Sequence, residues 1–249
     1  MIKKTLLTLS LVSLATGSAL AGSGHGKGHW GYEGHEGPEN WGSLSSSYKM
    51  CSEGKQQSPV DISAAHAMGL KPIEFHYKST NKPEVVNNGH TIQLNYSAGS
   101  YAVIGGKKYN LLQFHFHAPS EHTVDGKHAD MVAHLVHKSD DGQLAVVGVL
   151  FDQGKSNGVI SDIFNAAPTS KGNATLASAI NVSDMLPKDK GYYNYSGSLT
   201  TPPCSEGVNW NVLKSRVTAS AKQINKFKEI HAKSIRPVQP LNGRMLSEL

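Results

Sequence analysis

Three histidines of this 249-residue chain have the spacing to share one task. In Gln113-Phe114-His115-Phe116-His117 two imidazoles stand two residues apart. On a β-strand they leave the same face, about 7 Å apart along the chain, while Phe114 and Phe116 enter the opposite, apolar layer. A His-x-His pair alone is weak evidence of a metal site, so its surroundings must decide. Downstream, Asp125-Gly126 is a two-residue hairpin turn between two runs of strand character. With that turn, directly opposed residues have numbers summing to 251, which sets His134 across from His117 with Cβ atoms about 5 Å apart. A bulge would shift this register by a residue or so. Three imidazoles on one stiff two-strand platform fill three corners of a tetrahedron and leave the fourth for water, the pattern of a catalytic zinc site.

The elements that must hold these side chains read as strands. Thr91 to Tyr96 and Asn110 to His117 alternate, Met131 to His137 is apolar with period two, and Leu144 to Phe151 is a nearly continuous apolar run. Helical spacing is confined to Ser156 to Ala166 and Ser215 to His231. The expected fold is mainly β, a large sheet with small peripheral helices. A composition of 17% charged and 38% hydrophobic residues excludes a disordered chain, a collagen and a coiled coil.

The first residues read as an export signal: Lys3 and Lys4, an apolar run from Thr5 to Ala15, then Ala19-Leu20-Ala21. Cleavage after Ala21 leaves residues 22–249 as a single domain, expected in the periplasm or secreted beyond it. The segment Gly22 to Gly37 is rich in Gly and His, and its start is expected to be loosely held. No stretch is long and apolar enough for a membrane span. Cleavage also lowers the formal charge of +5 by two, and the remaining lysines form no basic stripe, so a nucleic-acid partner is not expected. In an oxidising compartment Cys51 and Cys204 favour a disulfide closing about 150 residues, the alternative being two buried thiols.

The string Gln113 to His117, followed by Ser120-Glu121-His122-Thr123-Val124 and His134-Leu135-Val136-His137, resembles the signature of the alpha-class carbonic anhydrases, in the exported bacterial form. Trp30-Gly31-Tyr32, Gln57-Ser58-Pro59-Val60-Asp61-Ile62, Asn87-Asn88-Gly89-His90, Gly197-Ser198-Leu199-Thr200-Thr201-Pro202-Pro203 and Arg236-Pro237-Val238-Gln239-Pro240 agree in order. The resemblance implies a twisted, mostly antiparallel sheet of about ten strands. It also implies reversible hydration of carbon dioxide to bicarbonate by a zinc-bound hydroxide, with one Zn2+ held by His115, His117 and His134. By the same resemblance Thr200 and Glu121 orient the nucleophile, and Val136, Val146, Leu199, Thr201 and Trp210 surround the substrate. His90 shuttles protons through water ordered by Tyr32, Asn88 and Gln93, and Cys51 and Cys204 are bridged. Sulfonamides and anions are the expected inhibitors, and a homodimer is compatible with the family. The alternatives are a catalytically silent binding module on the same fold and zinc esterase activity as a side reaction. Two positions depart from the family: Gln93 stands where many relatives carry Asn, and Val132 stands where a glutamate usually accepts a hydrogen bond from the third ligand, with Asp130, two residues further back on the same face, a candidate substitute at a longer distance along the strand.

Overall fold

A computed structural model describes residues 28–249; the expected export signal and the start of the Gly- and His-rich stretch lie outside the described residues. From Gly28 onward the amino-terminal segment is tied down, with Tyr48 donating to the Gly28 carbonyl and the Trp41 indole to the Gly31 carbonyl, both at 2.8 Å.

The site rests on eight strands: β1 (Glu84–Asn87), β2 (Ile92–Asn95), β3 (Lys107–His117), β4 (Met131–Lys138), β5 (Leu144–Gln153), β6 (Tyr192–Ser198), β7 (Glu206–Leu213) and β8 (Val217–Ala219). They belong to a 13-stranded sheet whose central order is β1-β2-β3-β4-β5-β7-β6, with β8 paired to the end of β5. Neighbours are antiparallel except where β5 meets β7 and β8. The expected large, mostly antiparallel sheet is therefore present. β5 lies at its centre and is buried over most of its length, which is why its sequence does not alternate.

Period-two alternation divides the sheet between two apolar layers. Phe114, Phe116, Leu135 and Val147 pack on one side against α1 (Gly158–Ala166) and α2 (Ala221–Ile230). The Phe116, Phe164 and Phe227 rings form a chain there at 5.0 and 5.6 Å. Each such fully buried side chain contributes roughly 1.5–3 kcal/mol. On the other side Val132, Val146, Leu150 and Trp210 form a separate cluster. The helix expected from Ser215 begins only at Ala221, because Val217–Ala219 completes a parallel pair with Phe151–Gln153. Ser220 then caps α2 through a reciprocal pair of bonds with Gln223.

The hairpin register also differs from expectation. Asp125-Gly126 does turn a hairpin, pairing Thr123 with His128, but that hairpin joins Asp61–Ile62 in a separate three-stranded sheet. Between it and the long strands, Ala118 to His122 carries two residues more than the returning segment. On β3 and β4 the opposed pairs are consequently His115 with His134 and His117 with Val132. The slip is even, so all three imidazoles keep the same face.

Candidate metal centre

One row of directly paired residues crosses the sheet as Gln93, His115, His134 and Gly148; the next same-face row is Asn95, Gln113, Val136, Val146 and Trp210. The ligands and the apolar wall are therefore adjacent rows of one surface. His117 extends the ligand row by one residue pair along β3. A ligand nitrogen from each of His115, His117 and His134 lies within 4.8 Å of the other two.

Two of the rings have their orientation fixed. A carbonyl oxygen can only accept, so His115 Nδ1–H donates to Gln113 Oε1 at 2.9 Å and His117 Nδ1–H donates to the Ser234 carbonyl. Both Nε2 atoms are left with a lone pair for an ion. His117 Nε2 is buried and has no hydrogen-bond partner among the described residues. Burial holds His115 and His134 well below the ordinary histidine value, so both stand in the neutral ligand form. Three imidazole nitrogens converging without a thiolate or carboxylate ligand, one of them buried and without a hydrogen-bond partner among the described residues, fit zinc.

Glu121 is brought to the cluster by the two extra residues before the hairpin. It is fully buried, its Oε1 accepts from Arg236 N at 3.0 Å, and its Oε2 lies 3.6 Å from His117 Nε2 and 3.8 Å from His134 Nδ1. Thr200 is buried in the loop after β6, which is braced by Cys204 N donating to the Thr201 carbonyl. No hydrogen bond joins Thr200 to Glu121 among the described residues; Glu121 Oε2 has no partner.

A cleft of about 190 Å³ opens above His115 and His117, lined also by Tyr32, Asn88, His90, Gln93, Val136, Leu199 and Thr201. Val146 and Trp210 are buried behind Val136, and the Trp210 indole donates to the Ser198 carbonyl at 2.8 Å. At the rim His90 stacks on Trp30 with centroids 3.7 Å apart and planes 9° apart. Asn88 Oδ1 accepts from the His90 and Thr91 amides, so this side chain shapes the turn that presents His90. Gly89 sits in that turn at φ +91°, where an added Cβ would meet Lys171 Cε at 2.4 Å. Gln93 donates to Asn95 Oδ1 at 2.7 Å, and the buried Tyr32 hydroxyl has no partner among the described residues.

Comparison with known proteins settles the lineage. The profile of the eukaryotic-type carbonic anhydrase family matches residues 36–248. The chain belongs to this family. It is 44% identical over 248 residues to the carbonic anhydrase of Neisseria gonorrhoeae, across 98% of each chain. Two solved carbonic anhydrases each superpose with a TM-score of 0.86, covering 89% of this chain and 100% of their own. One, hyperthermostable and from an active hydrothermal vent chimney, is 49% identical; the other, the alpha-class enzyme of Thermovibrio ammonificans, was solved with sulfanilamide and is 46% identical. The family consists of lyases.

Sequence reasoning missed three anchors of this carbonic anhydrase site. Gln113 shares a face with His115 two residues away, so parity alone could have found it. The Ser234 carbonyl and the Arg236 amide give no local signal, because each arrives from a segment more than a hundred residues downstream. His122, read only as part of the turn signature, packs at 4.6 Å on Trp210 and bonds the Tyr195 hydroxyl through Nε2 at 2.6 Å.

The departure at Val132 has a visible counterpart. Val132 is buried on the His134 face and offers no acceptor, and His134 Nε2 has no hydrogen-bond partner among the described residues. Asp130 is not the substitute: its carboxylate accepts from Gln153 N at 2.7 Å. Val132→Glu is accordingly expected to slow zinc loss to a chelator by about 10–100-fold. An unchanged dissociation rate would remove any role for this position in metal retention.

Proposed function

We propose that the chain catalyses the reversible hydration of carbon dioxide to bicarbonate and a proton, with one zinc ion held by His115, His117 and His134. The observation that carries this reading is the cluster of three converging imidazoles beside an apolar wall on the floor of an open cleft. When bound, zinc supplies a Lewis acid that brings the pKa of a water near 7, a value for which carbonic anhydrases are themselves the standard example.

The protein residues contribute binding, orientation and proton removal. Carbon dioxide has no net dipole, so Val136, Val146, Leu199 and Trp210 receive it by apolar contact, with Thr201 at the edge of the cleft. Arg236 occupies Glu121 Oε1, leaving Oε2 as the acceptor for the Thr200 hydroxyl proton. A hydroxyl committed in that way presents its lone pair to the reacting oxygen. Such bonds often tighten only when the reacting group is in place.

His90 is the group that takes the released proton. Burial against its neighbours, then the charges of Lys171 and His29, hold it below the ordinary histidine value, so it is neutral and able to accept at neutral pH. Tyr32, Asn88 and Gln93 line the path between it and the imidazole cluster. His90→Ala is expected to lower turnover in weak buffer by about tenfold to a hundredfold, to be rescued by added imidazole, and to leave kcat/KM for carbon dioxide unchanged. A loss that imidazole does not restore would show that His90 serves the fold of the rim.

Stopped-flow hydration of carbon dioxide by the zinc-loaded protein tests the whole reading. Hydration blocked by a primary sulfonamide is expected, in line with the sulfanilamide complex of the Thermovibrio ammonificans relative. No hydration by the zinc-loaded protein would sink the proposal. We also propose cleavage after Ala21 and a periplasmic or secreted mature chain of residues 22–249, a setting in which the Cys51 to Cys204 bond is stable. Among the described residues no helix is long and apolar enough to cross a membrane.

A further inference from the structure

Arg236 is buried, 2% exposed, yet among the described residues its guanidinium touches no carboxylate. Nη1 donates to Gln57 Oε1 at 2.8 Å and to the Ser58 carbonyl at 2.9 Å, and Nη2 donates to the Cys51 carbonyl at 2.8 Å. Gln57 Nε2 in turn donates to the Cys204 carbonyl at 3.1 Å and to Glu206 Oε1 at 3.0 Å. The carbonyls of both bridged cysteines are thus gathered by one guanidinium, directly for Cys51 and through one amide for Cys204. At its backbone end the same residue donates its N–H to Glu121 Oε1.

We infer that Arg236, with Gln57, is a positioning residue that couples the Cys51 to Cys204 bridge to the direction of the Glu121 carboxylate. The inference rests on the role given to Glu121 under the proposed function. A buried guanidinium needs fixed acceptors, because each donor left unmet in the interior is costly. Burial pushes Arg236 down to about 10, so it stays charged at neutral pH and cannot relieve that cost by losing its proton. Its acceptors are held only while residues 51 and 204 are tied together. Pro237 follows directly and restricts the backbone at Arg236, so a shift of the side chain is passed to its own amide. Losing the amide bond frees Glu121 Oε1 to compete for the Thr200 hydroxyl.

The test is hydrogen exchange at the Arg236 amide in the full zinc-loaded protein, oxidised and reduced, well below either thermal midpoint. Reduction is expected to speed exchange at Arg236 by about tenfold while the amides of Phe114 to Phe116 stay unchanged, and to lower the plateau of the kcat/KM pH profile with zinc content constant. Cys51→Ser/Cys204→Ser should reproduce both effects. Gln57→Leu should produce part of them in oxidised protein and make reduction less damaging. An Arg236 amide indifferent to reduction, or one that speeds up only together with the sheet, overturns the coupling. Exchange is read without turnover, so a protein that hydrates no carbon dioxide but shows the selective effect would refute the proposed function and leave the coupling standing.

Discussion

His134→Ala is expected to abolish zinc retention and, with it, hydration activity. Two imidazoles from one strand cannot close around an ion without the opposed ring from β4. Zinc sites with four protein ligands bind with about 10–16 kcal/mol, so one ligand is worth about 3 kcal/mol or more, a hundredfold or greater loss of affinity. The substitution removes a ring that makes no hydrogen bond through Nε2 and lies on the face away from the Phe114 and Phe116 layer. The fold should survive it. Metal content after dialysis against a chelator, with a thermal melt as control, checks the prediction; zinc retained at one per chain would show that His134 is not a ligand.

The second large effect concerns stability. Cys51 and Cys204 are bonded and close a loop of 153 residues. The chain-entropy account assigns about 5 kcal/mol to a loop of that length, an upper bound because denatured chains keep some structure. At about 2–4 °C per kcal/mol for a chain of this size, Cys51→Ala/Cys204→Ala is expected to lower the thermal midpoint by about 10–20 °C. Zinc stoichiometry should be unchanged, since the three ligand histidines are held by the ladders of β3 and β4 and not by the segments next to either cysteine. Differential scanning calorimetry of the oxidised and variant proteins decides the matter, and a drop under about 3 °C would contradict it.

Much of the site is legible in the sequence because alternation is a local property. The parity of His115, His117, His134 and Val136 follows from counting by two, and it survives any even change of register. Parity cannot say how many residues a loop consumes. Asp125-Gly126 marks a real turn, but the excess in Ala118 to His122 slips β3 against β4 by two, and that excess is what carries Glu121 into the cluster. In the same way Val217 to Ala219 looks helical beside α2 until the exposed end of β5 is known to need a partner. The Ser234 carbonyl and Arg236 amide belong to chain closure, and no local pattern encodes a carbonyl's destination.

The row running through Gln93, His115, His134 and Gly148 draws one residue from each of four adjacent strands. Backbone ladders, not these side chains, hold the strands together, and the phenylalanines that pack the helices leave from the opposite surface. Reactivity and architecture are therefore written on the two sides of one fabric. A lineage can erase or rewrite the reactive side one position at a time without unpicking the weave, and the same freedom is open to anyone who would install a different metal on this sheet.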